Sequence, residues 1–136
     1  MGFDQYHEPP DELPEQTRTF ARLCASLTEE AEAIGWYEQR LAIEQDAEAK
    51  AVMSDAVGEE YKHFSMDLEC LLRRTPKWRQ IAKGVLFQEG DIVEHGEAAE
   101  AAADDDGDEQ SGGAAAPTAA ISGGSLGIGS LRGEGL

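Results

Sequence analysis

The sequence predicts an all-α protein: two long antiparallel helices followed by a short third one. Two apolar stripes at helical spacing carry most of this reading. Phe20, Leu23, Leu27, Ile34 and Leu41 recur at intervals of 3, 4, 7 and 7, and Met53, Ala56/Val57, Phe64, Leu68 and Leu71 follow in a second stripe. The third observation is punctuation, with Asp46 placed to cap a second helix and Thr75-Pro76 placed to open a third.

Residues 1–11 form a polar extension in which Pro9-Pro10 forbid helix before Asp11. The first helix is expected from about residue 12 to 44. Asp46, with Glu48 in the first turn behind it, starts the second, which ends at Arg73-Arg74, cations suited to a helix C-terminus. The third helix runs from Thr75-Pro76 through about Phe87. The turn at 44–46 has neither Gly nor Pro, so pattern alone also allows one continuous helix there. A helical hairpin domain over residues 12–95 follows from this.

Beyond Gly90 the composition shifts to Ala and Gly runs and the cluster Asp104-Asp105-Asp106-Gly107-Asp108-Glu109. With almost no bulky apolar side chain to offset ordering entropy, residues 96–122 are expected to form a flexible, self-repelling acidic linker. Apolar residues return in 123–136, where Leu126, Ile128 and Leu131 are spaced by glycines and serines, a pattern expected of a docking peptide.

The chain has 136 residues and a net charge of −17. Residues 1–87 carry 17 acidic and 10 basic side chains, and residues 88–136 carry 11 acidic side chains and one Arg. That balance argues against nucleic acid and against an anionic membrane surface, and favours cations as ligands or substrates. A high-salt cytoplasm is another source of such acidity. No apolar stretch is long enough to span a bilayer, and the first residues lack the regions of a signal peptide. Cys24 and Cys70 are isolated and without CxxC spacing, which reads as small buried apolar residues in a reducing cytosol. A folding part of about 85 residues buries little core alone and is expected to associate.

Glu60 and His63 stand three residues apart, and hence on one side of a helix. The spacing alone decides nothing, since 18 Glu and three His give roughly 0.4 such pairs by chance. Position raises it, because the second stripe runs 53, 57, 60, 64, 68, 71 and puts Glu60 at a core position with His63 beside it. The first stripe likewise puts Glu30 and Tyr37 on the inward face. A buried ionised carboxylate without a partner is costly, and a metal supplies one. With the turn at 45, Glu30 and Glu60 each lie about 22 Å from it, at one level of the hairpin. Carboxylates with imidazole suit iron or manganese better than a structural zinc.

Di-iron bundles take a Glu from each of two helices and a Glu-x-x-His from each of the other two. This chain offers one of each, so the missing half must come from a second copy across a two-fold axis. Glu29 and Glu32 flank Glu30 but point elsewhere, either as a solvated acidic face or as a collecting site for cations. Tyr37 is within reach of a ligand as a hydrogen-bonding neighbour. Trp36 and Tyr61 read as packing residues, and His7 and His95 take no role.

Taken together, these residues resemble the encapsulated ferritins, the ferritin-like cargo of encapsulin nanocompartments. His7-Glu8-Pro9, Glu29-Glu30-Ala31-Glu32, Trp36-Tyr37-Glu38-Gln39-Arg40 and Glu59-Glu60-Tyr61-Lys62-His63 stand in the family's order and spacing, as do Leu71-Leu72-Arg73-Arg74 and Val85-Leu86-Phe87. The resemblance covers about residues 7–95. The run Gly124-Ser125-Leu126-Gly127-Ile128-Gly129-Ser130-Leu131-Arg132-Gly133 looks like the peptide by which such cargo binds the inner wall of the shell.

The resemblance implies a subunit that dimerises into a four-helix ferritin-like bundle, in dimers that assemble into a ring, typically a decamer. It implies a ferroxidase, with two Fe(II) per dimer bound by paired Glu30, Glu60 and His63 and oxidised by dioxygen for mineralisation inside the shell. Glu29 and Glu32 match the family's metal uptake site, and Trp36 and Tyr37 match residues near the metal path. Ser125, Leu126, Ile128, Ser130, Leu131 and Arg132 would contact the shell protein. Gly35 and Cys70 depart from the family pattern without touching the expected ligands. A non-catalytic metal-buffering cargo is the competing reading, and a hemerythrin-like carrier is disfavoured by the single histidine near the site.

Overall fold

The computed structural model describes residues 5–111, and side chains up to residue 107. Four α-helices follow in order: α1 (Glu15–Ile43), α2 (Ala47–Arg74), α3 (Pro76–Val85) and α4 (Ile92–Ser111). No strand occurs among the described residues, so the all-α expectation holds. α1 packs along α2, α3 meets the end of α2, and α4 packs against α3.

α1 begins three residues later than periodicity indicates because Pro14 occupies its N-cap in an extended conformation. Proline restricts the residue before it to extended geometry, so the chain ahead closes as turns instead. There the Glu12 N–H donates to the Pro9 carbonyl at 3.0 Å.

The hairpin turn falls at residues 44–46, and side chains do the work of the missing Gly or Pro. Glu44 Oε1 accepts from the backbone N–H groups of Gln45 and Asp46, both at 2.8 Å. Asp46 Oδ1 accepts from the Ala49 N–H at 2.8 Å, the N-cap expected for α2. α2 then closes at Arg74, with Pro76 at the first position of α3. Glu69 braces that corner, accepting from Arg73 Nε at 2.8 Å and Arg79 Nη1 at 3.0 Å.

α3 stops at Val85, two residues short of the expected end, because Phe87 takes a left-handed φ of 62° and cannot continue a helix. Gly90, at φ 107°, completes the reversal. Asp91 Oδ1 accepts from the N–H groups of Val93 at 2.8 Å and Glu94 at 3.0 Å and so starts α4.

α4 corrects the sequence reading. Residues 96–111 are helical where a flexible linker is expected. The remainder of that linker, 112–122, and the segment 123–136 lie outside the described residues. Alanine is the strongest helix former, and Ala99 and Ala103, four residues apart, are buried. The two helices come close enough that a Cβ built on Gly84 would lie 2.5 Å from the Ala99 Cβ. Lys77 pairs with Asp104, and Gln80 donates to Asp106 Oδ2 at 2.6 Å, so part of the acidic run is engaged by α3. Small side chains make this helix contact, Ala99 against Gly84, where bulky apolar ones are lacking.

The core of a single chain is slight. Among the described residues, Val57, Leu71, Leu72, Ala99 and Ala103 are the buried apolar ones, and Leu71 alone of these is completely enclosed. Phe20, Leu23, Leu27, Ile34 and Leu41 of the α1 stripe, and Met53, Phe64 and Leu68 of α2, stay half-buried. No described helix is long and apolar enough to cross a membrane.

Candidate metal centre

Glu30 lies midway along α1, and Glu60 and His63 lie one turn apart on α2. The Asp46-capped turn brings the two helices alongside with these residues at one level. One ligand atom from each of the three side chains falls within 4.8 Å of the others. His63 Nδ1 stands 3.8 Å from Glu60 Oε2 and 4.0 Å from Glu30 Oε2. It is the one such group of three or more potential ligands among the described residues.

Both carboxylates are 22 % exposed and the imidazole is 47 % exposed, so the group opens onto the face of the hairpin. The electrostatics are those of a site short of positive charge. Glu30 is held above the usual carboxylate range, first by a hydrogen bond shared with Glu60, then by burial and the Glu60 charge. The Asp67 charge pushes the same way, and His63 opposes it. The proton so favoured on Glu30 is what a cation would displace. Two carboxylates and a neutral imidazole nitrogen are a donor set that fits Fe(II) or another divalent first-row metal.

Glu29 and Glu32 are exposed on α1, outside this group. Trp36 is exposed beside Gln39 and Arg40. Tyr37 is half-buried and carries the Arg40 guanidinium 5.4 Å from its ring centroid. Among the described residues it makes no hydrogen bond to Glu30, Glu60 or His63. Ser125, Leu126, Ile128, Ser130, Leu131 and Arg132 lie outside the described residues.

Three neighbours of the centre escape the sequence reading. Glu59 Oε2 lies 4.0 Å from His63 Nε2, on the side of the ring away from the other two carboxylates. Its spacing of four from His63 was the available signal. Asp67, whose charge acts on Glu30, lies seven residues past Glu60 and so shares its helix face. Tyr61, expected to pack, is exposed and donates its hydroxyl to Glu38 Oε1 at 2.8 Å, tying α2 to α1 one residue from Glu60. No periodicity marks that pair, because both side chains are on solvent faces.

A helical hairpin with Glu, Glu and His converging from its two long helices has the architecture of a ferritin-like subunit. Residues 5–89 match the EncFtn-like family, and the chain belongs to that family. It is 44 % identical over 128 residues to the "Encapsulated ferritin-like protein" of Rhodospirillum rubrum, an alignment spanning 94 % of this chain and 88 % of that protein. It is 40 % identical over 91 residues to a "Ferritin-like protein" of Thermotoga maritima, spanning 67 % and 80 % respectively. Among solved structures, the crystal structure of protein ne0167 from Nitrosomonas europaea superposes with a TM-score of 0.64 at 38 % identity. That match covers 65 % of this chain and 98 % of the other.

Proposed function

We propose that this protein is an iron-handling cargo of an encapsulin nanocompartment within the cytoplasm. There it acts as a ferroxidase whose di-iron centre forms only when two copies of the chain meet. The observation that carries the reading is the convergence of Glu30, Glu60 and His63 from α1 and α2. Three ligands are half of what two iron ions need in a carboxylate bundle, and a two-fold axis doubles them. The half-buried stripes of α1 and α2 support the same assembly, since a hairpin with so little enclosed core gains from a second copy laid against it. The relatives' names point to encapsulation and to the ferritin class.

Fe(II) is the substrate. Each ion gives up one electron, and dioxygen receives them. The chain's own contribution is binding and charge. Glu30 releases to solvent the proton that its surroundings favour as the cation arrives, and the negative charge of Glu30 and Glu60 then favours Fe(III) over Fe(II). His63 supplies a neutral donor through Nδ1. Glu29, Glu32, Trp36 and Tyr37 would lie along the approach to the centre, and the exposed acidic side chains among them would gather cations. Homodimers would join into a ring, and an open ring needs a shell to hold mineral. Residues 123–136 would tether it to the inner wall of that shell.

Oxygen uptake on adding Fe(II), compared for the parent chain, Glu60→Ala and His63→Ala, tests the chemistry. Loss in both variants is expected, and unchanged oxidation in both would reject the metal assignment. In crystals soaked with Fe(II), two anomalous peaks about 3.5 Å apart across a two-fold axis are expected. Deleting residues 123–136 should abolish loading into the shell while sparing iron oxidation by the free protein.

A further inference from the structure

His63 has two ring nitrogens, and carboxylates approach both. Nδ1 faces Glu30 and Glu60 at 4.0 and 3.8 Å, while Nε2 faces Glu59 at 4.0 Å. Glu59 and His63 are four apart on α2, so the contact is within one helical turn and needs no help from another element. Glu59 is exposed and paired with Lys62. A carboxylate offers acceptor oxygens to a ring N–H.

From this geometry we infer that Glu59 is a positioning residue. Its carboxylate takes the Nε2 proton of His63 as a hydrogen-bond donor, fixing the ring so that Nδ1 presents its lone pair to the metal between Glu30 and Glu60. Closing 4.0 Å to hydrogen-bond distance asks for about 1 Å of motion in an exposed side chain. Lys62 competes for the same oxygen, Glu59 Oε2. The two contacts make Glu59 a swing residue: it rests on Lys62 and would move to His63 once the ring turns Nδ1 inward and its Nε2–H outward. A carboxylate behind a metal-bound imidazole both orients the ring and raises its basicity, and its loss typically weakens metal binding by about 10- to 100-fold. The inference rests on the half-site reading of Glu30, Glu60 and His63.

The test uses the full chain and Zn(II) as a diamagnetic probe, with affinity read by competition against a chelator and the His63 ring read by nitrogen-15 NMR. In the parent, Zn(II) should move the Nδ1 resonance and leave a slowly exchanging proton on Nε2. Glu59→Ala should weaken Zn(II) binding by about 10- to 100-fold and speed exchange of the Nε2 proton. Asp55→Ala, which removes an equal and exposed charge elsewhere on α2, should leave the Nε2 proton as in the parent. Lys62→Met should bind Zn(II) at least as tightly as the parent.

A Glu59→Ala protein with parental affinity and parental exchange would overturn the role of Glu59 while leaving the metal site standing. A parent whose Nδ1 resonance ignores Zn(II) would instead remove the half-site reading, and this inference with it. Equal loss in Asp55→Ala would reduce Glu59 to one more negative charge.

Discussion

Glu30 and Glu60 face each other across the α1–α2 hairpin, and the pairing keeps Glu30 protonated to higher pH than an ordinary carboxylate. Because its pKa is raised in the folded state, the stability it contributes is fully present below the unfolded-state value. That stability is lost as pH rises through the folded value. The metal-free protein should therefore lose stability relative to Glu30→Gln over the window between the ordinary carboxylate range and the raised one. Thermal unfolding of both proteins in chelator, across a pH series, measures this. A parent-to-variant difference that stays flat across the window would contradict it.

A cation at the same place reverses the effect. Metal binding there would displace the Glu30 proton, so affinity for Fe(II) under anaerobic conditions should rise as pH climbs through that window. At Fe(II) about 100-fold above its Kd, the parent should gain about 2.7 kcal/mol of stability. Glu60→Ala and His63→Ala should gain far less at the same concentration. Equal melting-temperature gains in all three proteins would mean that iron binds somewhere else.

The level placement of Glu30 and Glu60 depends on where the hairpin turns, and Asp46 is the clearest determinant of that. Its side chain caps α2 through the Ala49 N–H at 2.8 Å. Asp46→Ala should cost about 1 kcal/mol, seen as a lower urea midpoint with an unchanged slope. Glu44 continues to hold the turn by accepting from the residue-45 and residue-46 N–H groups. Iron oxidation at low temperature should therefore survive. Loss of activity without loss of stability would mean that Asp46 acts on the centre rather than on the turn.

α1, α2 and the meeting of Glu30, Glu60 and His63 were readable in the sequence for one reason: all follow the 3.6-residue period. Glu30, Glu60 and His63 interrupt or flank apolar stripes, and the register from the turn put them together without coordinates. What periodicity could not show was anything made by small or exposed residues. Ala99 and Ala103 count as weak apolar residues, yet their lack of bulk is what lets α4 approach Gly84 of α3. Glu59 and Tyr61 sit off the stripe, so the approach of Glu59 to His63 and the hydrogen bond of Tyr61 to Glu38 leave no mark in the apolar period. Phe87 ends α3 by adopting a left-handed conformation that nothing in its residue type requests.

The contact of Gly84 with Ala99 makes α4 testable independently of any metal. Adding one methyl group at position 84 puts a Cβ 2.5 Å from the Ala99 Cβ and 3.5 Å from its Cα. Alanine favours helix over glycine by about 1 kcal/mol, which would stabilise α3 if nothing stood in the way. Here the neighbour is a Cβ fixed to backbone, so it cannot rotate aside, and overpacking costs about 1–3 kcal/mol. Gly84→Ala should therefore push α4 off α3, with faster amide exchange in residues 92–107 and little change in α1 and α2. The double variant Gly84→Ala/Ala99→Gly restores the space and should recover the parental exchange pattern in α3, though α4 keeps the cost of its new glycine. Parental protection in the single variant would mean that the two helices do not meet at these residues.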